Sequence, residues 1–147
     1  MNRRPTNLHH DKEGSSMGSK DEMARMRNLA EVTNIMKLYL EALRKGDPDV
    51  VNHLFHPEAQ LQGVYEGKVD SFPIQRLWDE IRQMGPQPEA VDTMQVLSVD
   101  VHVNYGRFVI QFADESGEGF MDAFTLAHGK EGGWVVMHKL YQRLSGA

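Results

Sequence analysis

Apolar and polar residues alternate along the last third of the chain, and this alternation limits the fold more than any other feature. Every second residue is apolar over residues 97–103 and again over residues 108–112. Because side chains on a β-strand point alternately to its two faces, this period predicts two strands, joined through Tyr105 and Gly106. Two further strands, each after a glycine-containing turn, are predicted at the end of the chain, over residues 120–128 and 134–143.

Helical periodicity marks the first part of the chain. From Met26, apolar residues recur three and four positions apart, which predicts a long helix with one buried face. That face carries Leu29, Val32, Met36, Tyr39, Leu40 and Leu43. Gly46 suits the left-handed residue that follows a helix, and Asp47 with Pro48 is typical of the start of another. We expect a short second helix there, ended by Pro57.

A hairpin and a third helix connect these two parts. The pair Glu66 and Gly67 predicts a turn after a strand over residues 59–65. Pro73 favours the start of a third helix, which Gly85 ends. Helices followed by a meander of strands predict an α+β fold.

Composition narrows the class of protein. The chain has 147 residues, of which 40% are hydrophobic, as expected for one globular domain. Its formal net charge of −5 disfavours nucleic-acid binding. The sequence has no cysteine, which excludes disulfides, thiolate zinc sites and thiol nucleophiles. It lacks membrane-length apolar runs and the pattern of a secretory signal, so we expect a soluble cytoplasmic protein with no membrane contact.

The N-terminal segment differs in composition from the rest. Residues 1–22 are rich in Ser, Gly, Asn, Lys and Asp. We expect a disordered or tag-like tail there, and a single domain over residues 23–147.

Short stretches carry a resemblance to a known family. They are LYLEALRKGD at 38–47, LFHPEA at 54–59, DAFTL at 122–126, LSVDV at 97–101 and GWVVMHK at 133–139. In this order they resemble the NTF2-like superfamily, and within it the putative lumazine-binding, SnoaL-like group of uncharacterised proteins. The resemblance covers residues 26–143 and implies a cone-shaped, cystatin-like fold. In such a fold, N-terminal helices pack on a curved, mainly antiparallel sheet around one pocket. Because the superfamily includes enzymes and noncatalytic proteins, it leaves the function open.

Two polar residues lie in phase with apolar neighbours on the last two strands. Asp122 shares the parity of Phe124, and His138 shares the parity of Val136. Folding the strands about Lys130 predicts that Asp122 lies opposite His138, with about 5 Å between their Cβ atoms. The two side chains are then expected to face the pocket together.

The resemblance adds a role for Tyr39 on the first helix. This residue matches the oxyanion-hole tyrosine of ketosteroid isomerases in the superfamily, and Asp122 matches their partner carboxyl, which an apolar site keeps protonated. The position of their general base falls on Gly63, which carries no side chain for that role. His138 could replace the missing base, because the ordinary pKa of histidine lies near neutrality. Gln62 has the opposite parity and is a weaker candidate.

The first functional hypothesis is therefore a binding protein or enzyme for a small apolar or aromatic ligand. Its predicted catalytic or anchoring residues are Tyr39, Asp122 and His138, and its predicted ligand-binding residues are Tyr65, Trp78 and Phe124. The reaction that fits is proton transfer next to a carbonyl, as in isomerisation or dehydration, without a cofactor. The structural alternatives are a buried Asp122–His138 pair and core roles for Tyr39 and Trp78.

The second hypothesis is a noncatalytic homodimeric interaction module. One predicted sheet face is apolar enough to need a cover, and it carries Val109, Val135, Met137 and Tyr141. A metal site is not expected, because the spacing of His53 and His56 comes with no third ligand. The expected partners are thus a second copy of the chain and a small molecule.

Overall fold

The computed structural model describes residues 3–144, with side chains from Gly18 onward. The helices are α1 (Arg3–Lys45), α2 (Gln75–Met84) and α3 (Pro88–Asp92). The strands are β1 (Phe55–Tyr65), β2 (Lys68–Pro73), β3 (Gln95–Val101), β4 (Tyr105–Ala113), β5 (Gly119–His128) and β6 (Trp134–Arg143). Two single-turn 3-10 helices, Pro48–Val50 and Asn52–Leu54, connect α1 to β1. The α+β class predicted from the sequence is confirmed.

Six strands form one sheet in the order β2-β1-β6-β5-β4-β3. Neighbouring strands are antiparallel except β1 and β6, which run parallel. The predicted turn between β1 and β2 is confirmed, because Glu66 and Gly67 adopt φ values of 50° and 76°, as a two-residue hairpin turn requires. The sheet thus places β1 and β6, the first and last strands in the sequence, side by side as its second and third strands.

Helix α1 packs its C-terminal half against α3, β3 and β4. The predicted apolar face is buried from Val32 to the end of the helix, whereas Leu29 is 42% exposed. The helix begins before Met26, at Arg3, and residues 19–25 ahead of Met26 are mostly exposed. The proposed tail over residues 1–22 stays a prediction, since side chains before Gly18 lie outside the described residues. Within residues 3–144 no helix combines the length and the apolar character needed to cross a membrane.

Aromatic side chains fill the core between α1 and the sheet. Phe124 stacks on Phe108 with ring centroids 4.5 Å apart and meets Tyr39 edge-on at 4.7 Å. Phe55 meets Trp78 of α2 edge-on at 4.7 Å. These contacts fix the ring of Tyr39, because buried aromatic pairs hold preferred relative orientations.

The predicted second helix is wrong. The chain forms two 3-10 turns instead, and β1 begins at Phe55, four residues earlier than the strand predicted from residue 59. Pro57 is tolerated inside β1 because the pairing with β6 is irregular between Phe55 and Gln60. Proline lacks the N–H that a regular ladder needs, so such an interruption is where a strand accepts it.

Two other local predictions also needed correction. The turn between β3 and β4 uses residues 102–104, and Tyr105 and Gly106 belong to β4. Leu97, which the alternation places on the same strand face as Val99 and Val101, is 47% exposed, because it is the extra residue of a bulge in β3 between Val96 and Ser98. An inserted residue reverses the alternation of side chains on a strand.

A similar bulge in β6 changes the register with β5. Thr125 pairs with His138 and Leu126 pairs with Val136, so Met137 is an extra residue in β6. Asp122 lies opposite Tyr141, and the predicted pairing of Asp122 with His138 is wrong. Residues of β6 with even numbers face the core before Met137, and residues with odd numbers face it afterwards.

Candidate functional site

A cavity of about 500 Å³ lies between the inner face of the sheet, α1 and α2. Its apolar walls include Leu43, Leu61, Phe72, Leu77, Phe112 and Phe120. Tyr39, Asp122 and Lys139 line it and are buried, so they form its closed end. Tyr65 and Met84 also line it and are about half exposed, which places them at its mouth.

The closed end holds a network of three side chains from α1, β5 and β6. The ammonium of Lys139 donates a hydrogen bond of 2.9 Å to the hydroxyl oxygen of Tyr39. The same nitrogen lies 3.4 Å from Oδ2 of Asp122. All three side chains are less than one tenth exposed, so the Lys139–Asp122 ion pair is screened little by water.

Burial and charge shift the pKa values of this network. Burial raises the pKa of Tyr39 to about 12. Burial alone would lower the pKa of Lys139, but the facing Asp122 and Tyr39 outweigh it, and the pKa is raised. Burial also raises the pKa of Asp122, against the opposing effect of the Lys139 ammonium. Lys139 and Tyr39 therefore both keep their protons at neutral pH.

Because Gly63 has no side chain, the ring of Tyr141 can lie over it and make a second polar contact in the cavity, with Asp70. A Cβ atom at this position would lie 2.5 Å from the backbone oxygen of Tyr141 and 2.6 Å from its ring. The Tyr141 ring therefore covers the position where a side chain would stand, and its hydroxyl donates a hydrogen bond of 3.1 Å to Oδ2 of Asp70. Burial and this hydrogen bond raise the pKa of Tyr141 to about 12. Asp70 lies opposite Gly63 on β2, so a carboxylate lines the cavity from the neighbouring strand.

Charged side chains at the mouth are paired with one another. Arg76 of α2 lies 3.7 Å from the ring centroid of Phe72 and 3.2 Å from Oε1 of Glu80. On the opposite side, Arg143 of β6 pairs with Glu118. Both of these cationic groups at the mouth, Arg76 and Arg143, therefore already have carboxylate partners.

The structure brings together part of the predicted site. Tyr39 and Asp122 share the closed end of the cavity, and Tyr65 lies at its mouth. Trp78 and Phe124 do not line the cavity and belong to the aromatic core around Tyr39.

His138 lies on the outer face of the sheet, on the other side of β6 from the cavity. Its Nε2 donates a hydrogen bond of 2.8 Å to Oε1 of Gln62, which has the same outward parity on β1. The bulge at Met137 causes this placement, since it reverses the parity on which the prediction depended.

Lys139 is the polar residue that the sequence analysis missed. The bulge turns it into the cavity in place of His138. Four consecutive apolar residues, 134–137, precede His138 and Lys139, and such a run hides the strand parity. The sequence therefore carries no local signal that β6 changes parity.

Comparison with known proteins now identifies the family. The family model described as putative lumazine-binding matches residues 27–142, which is most of the chain. This chain belongs to the putative lumazine-binding family. A comparison with curated proteins finds no match.

Comparison with solved structures identifies the fold of this putative lumazine-binding family member. An NTF2-like protein of unknown function from Shewanella baltica OS155 is 28% identical, with a TM-score of 0.72, over 80% of this chain and 94% of that one. One from Methylobacillus flagellatus KT is 19% identical, with a TM-score of 0.70, over 81% and 94%. A ketosteroid isomerase-like protein from Erwinia carotovora atroseptica SCRI1043 is 14% identical, with a TM-score of 0.55, over 80% and 97%. The predicted NTF2-like fold is confirmed.

Proposed function

We propose that this protein binds a small, ring-containing molecule in the cavity. The observation that carries the proposal is the buried Tyr39–Lys139–Asp122 network at the closed end of an otherwise largely apolar cavity. Sites for small molecules typically combine apolar walls with a few polar groups that fix the orientation of the ligand. The cavity volume of about 500 Å³ lies within the range of about 300–1,000 Å³ that such sites occupy.

The proposal differs in one respect from the chemistry expected from the sequence. His138 faces away from the cavity, so it is not in a position to act as a base on a bound molecule. The polar groups that reach the cavity are instead Tyr39, Lys139 and Asp122 at its closed end and Asp70 with Tyr141 nearer its mouth. These residues support recognition of a ligand with polar groups at both ends.

A retained ligand would test this proposal directly. We expect native mass spectrometry of the protein purified from its own host to show a mass above that of the chain, released by organic solvent. Leu61→Trp should abolish the excess mass, because the larger ring would fill the cavity that Leu61 lines. The matched control is Val103→Trp in the turn after β3, where the side chain is 82% exposed.

Two outcomes would contradict the proposal. One is a chain that carries no small molecule when purified from its host. The other is an excess mass that survives Leu61→Trp while circular dichroism shows a folded variant.

We also propose that the outer face of the sheet forms a homodimer. After the bulge this face carries Leu140 rather than Tyr141, whose ring lies over Gly63. Met137 and Leu140 are 37% and 47% exposed there, beside half-buried Val135. Adjacent apolar side chains on an exposed sheet face are typical of an interface between copies of a chain.

Sedimentation velocity at micromolar concentration tests the dimer. We expect a dimer for the unaltered chain and a monomer for Leu140→Glu, because a carboxylate in the interface would be buried without a partner. Val103→Glu should leave the dimer intact, since Val103 lies in a turn away from this face. A monomeric unaltered chain would overturn this proposal and leave ligand binding unaffected.

A further inference from the structure

Two buried polar atoms at the closed end of the cavity have hydrogen-bonding capacity that no side chain within residues 18–144 uses. Oδ2 of Asp122 accepts no hydrogen bond from any residue that the structure describes, although the Lys139 ammonium lies 3.4 Å away. The hydroxyl of Tyr39 accepts a hydrogen bond from Lys139 but donates none within residues 18–144. Buried polar groups are almost always paired, so these two atoms point to a partner that enters through the cavity.

The two atoms differ in what they can bind. The Tyr39 hydroxyl can donate a hydrogen bond, whereas the Asp122 carboxylate can only accept one. They lie at 2.9 Å and 3.4 Å from the same Lys139 nitrogen, so both are within reach of one small functional group. The closed end therefore presents one donor next to one acceptor.

The charge of the network limits the ligand further. Lys139 and Asp122 already neutralise each other, so an anionic ligand group would place an uncompensated charge beside Asp122. A neutral group with an adjacent acceptor and donor satisfies both free atoms without adding charge. A cyclic amide is such a group, because its C=O and N–H lie side by side in the plane of the ring.

We propose, on the basis of the ligand binding proposed above, that the ligand presents a lactam edge to Tyr39 and Asp122. Its carbonyl oxygen accepts a hydrogen bond from the Tyr39 hydroxyl, and its N–H donates one to Oδ2 of Asp122. The apolar walls of the cavity then cover the remaining ring atoms. This assigns the ligand to neutral lactams and cyclic imides and excludes carboxylates.

Matched bicyclic probes test the lactam edge. The probes are 2-quinolone, 1-methyl-2-quinolone, which keeps the carbonyl but lacks the N–H, and naphthalene, which lacks both. We expect isothermal titration calorimetry to show 2-quinolone binding at least about tenfold more tightly than 1-methyl-2-quinolone, as expected for loss of one hydrogen bond to a buried charge. Naphthalene should bind most weakly of the three.

Two variants separate the roles of the two residues. Tyr39→Phe should weaken both quinolones by similar factors and leave naphthalene unchanged, because it removes only the donor to the carbonyl. Asp122→Asn should reduce the preference for 2-quinolone over its N-methyl form at least about threefold, because an amide oxygen accepts a weaker hydrogen bond than a carboxylate. His138→Gln is the control and should change none of the affinities, since His138 lies on the outer face.

The outcomes distinguish this inference from the proposed function. Equal affinities for all three probes would overturn the lactam edge and leave small-molecule binding supported. Absence of binding by 2-quinolone would also overturn the lactam edge, while the retained-ligand experiment would still decide the proposed function.

Discussion

The ammonium of Lys139 lies 3.4 Å from Oδ2 of Asp122, and both side chains are buried at the closed end of the cavity. The two residues come from neighbouring strands, and Lys139 faces the cavity beside Asp122 only because β6 contains an extra residue at Met137. Removal of one partner of a buried ion pair leaves the charge of the other partner buried without compensation, which destabilises the folded protein. Lys139 and Asp122 therefore behave as one unit in the stability of the fold.

Removal of Lys139 alone should strongly destabilise the protein. In Lys139→Met the Asp122 carboxylate would stay buried without its cation, so we expect the free energy of unfolding to fall by about 3–5 kcal/mol. Urea denaturation followed by circular dichroism at neutral pH measures this change.

A double variant supplies the control for this prediction. Lys139→Met with Asp122→Leu removes both charges, and we expect it to be more stable than Lys139→Met alone. If the loss of unfolding free energy in the double variant instead equals the sum of the losses in Lys139→Met and Asp122→Leu alone, the two residues do not interact in the folded protein.

The stability should depend on Tyr39 at high pH. Its folded-state pKa of about 12 lies above the ordinary value of 10.0, so the folded state retains a proton that the unfolded chain releases. The contribution of Tyr39 is therefore complete below pH 10 and is lost as the pH rises towards 12. We expect unfolding free energies to fall less steeply across this window in Tyr39→Phe than in the unaltered chain.

Tyrosinate absorbance provides an independent check of the same group. Two of the four tyrosines, Tyr39 and Tyr141, have pKa values raised to about 12. Tyr39→Phe should remove one tyrosine from the last step of a spectrophotometric titration. A variant that loses absorbance only at lower pH would show that Tyr39 is not the buried group.

Gly63→Ala should disturb the contact between Tyr141 and Asp70. The added Cβ would lie 2.6 Å from the Tyr141 ring and 2.5 Å from its backbone oxygen, which no side-chain rotation relieves completely. We expect a loss of about 1–3 kcal/mol in urea denaturation, as for other substitutions that overfill a packed site. The pKa of Tyr141 should also fall from about 12 towards its ordinary value.

Gly133→Ala is the matched control for this substitution. A Cβ at Gly133 meets no atom within 4 Å. We expect it to leave both the stability and the tyrosine titration almost unchanged, and equal losses at the two glycines would contradict the steric explanation.

Substitution of His138 should not affect ligand retention. Its imidazole is bound to Gln62 on the outer face of the sheet, so His138→Gln is expected to leave the excess mass in native mass spectrometry unchanged. A loss of retained ligand in a dimeric, folded His138→Gln variant would show that this histidine acts on the cavity.

The sequence was sufficient for the parts of the fold that depend on local periodicity. Tyr39 lies on the buried face predicted from helical spacing, and Asp122 faces inward with Phe124 as strand parity predicted. The turn at Glu66 and Gly67 was also predictable, because glycine readily adopts the positive φ that such turns need.

The remaining part of the site depends on long-range pairing. No glycine or proline marks the bulge at Met137, so nothing local indicates that β6 changes parity between Val136 and Lys139. Trp78 was predicted to line the cavity, but its packing on Phe55 depends on where β1 begins. Such features follow from how strands and helices meet, which sequence spacing does not specify.

The extra residue at Met137 has a consequence for how the cavity can change between related chains. Loss or gain of one residue near this point of β6 exchanges which of two adjacent side chains, His138 or Lys139, enters the cavity. A titratable imidazole would then replace a permanently charged ammonium without any substitution. Members of this fold family can therefore acquire different cavity chemistry through a change in strand length, and residue-by-residue comparison of the last strand would not detect it.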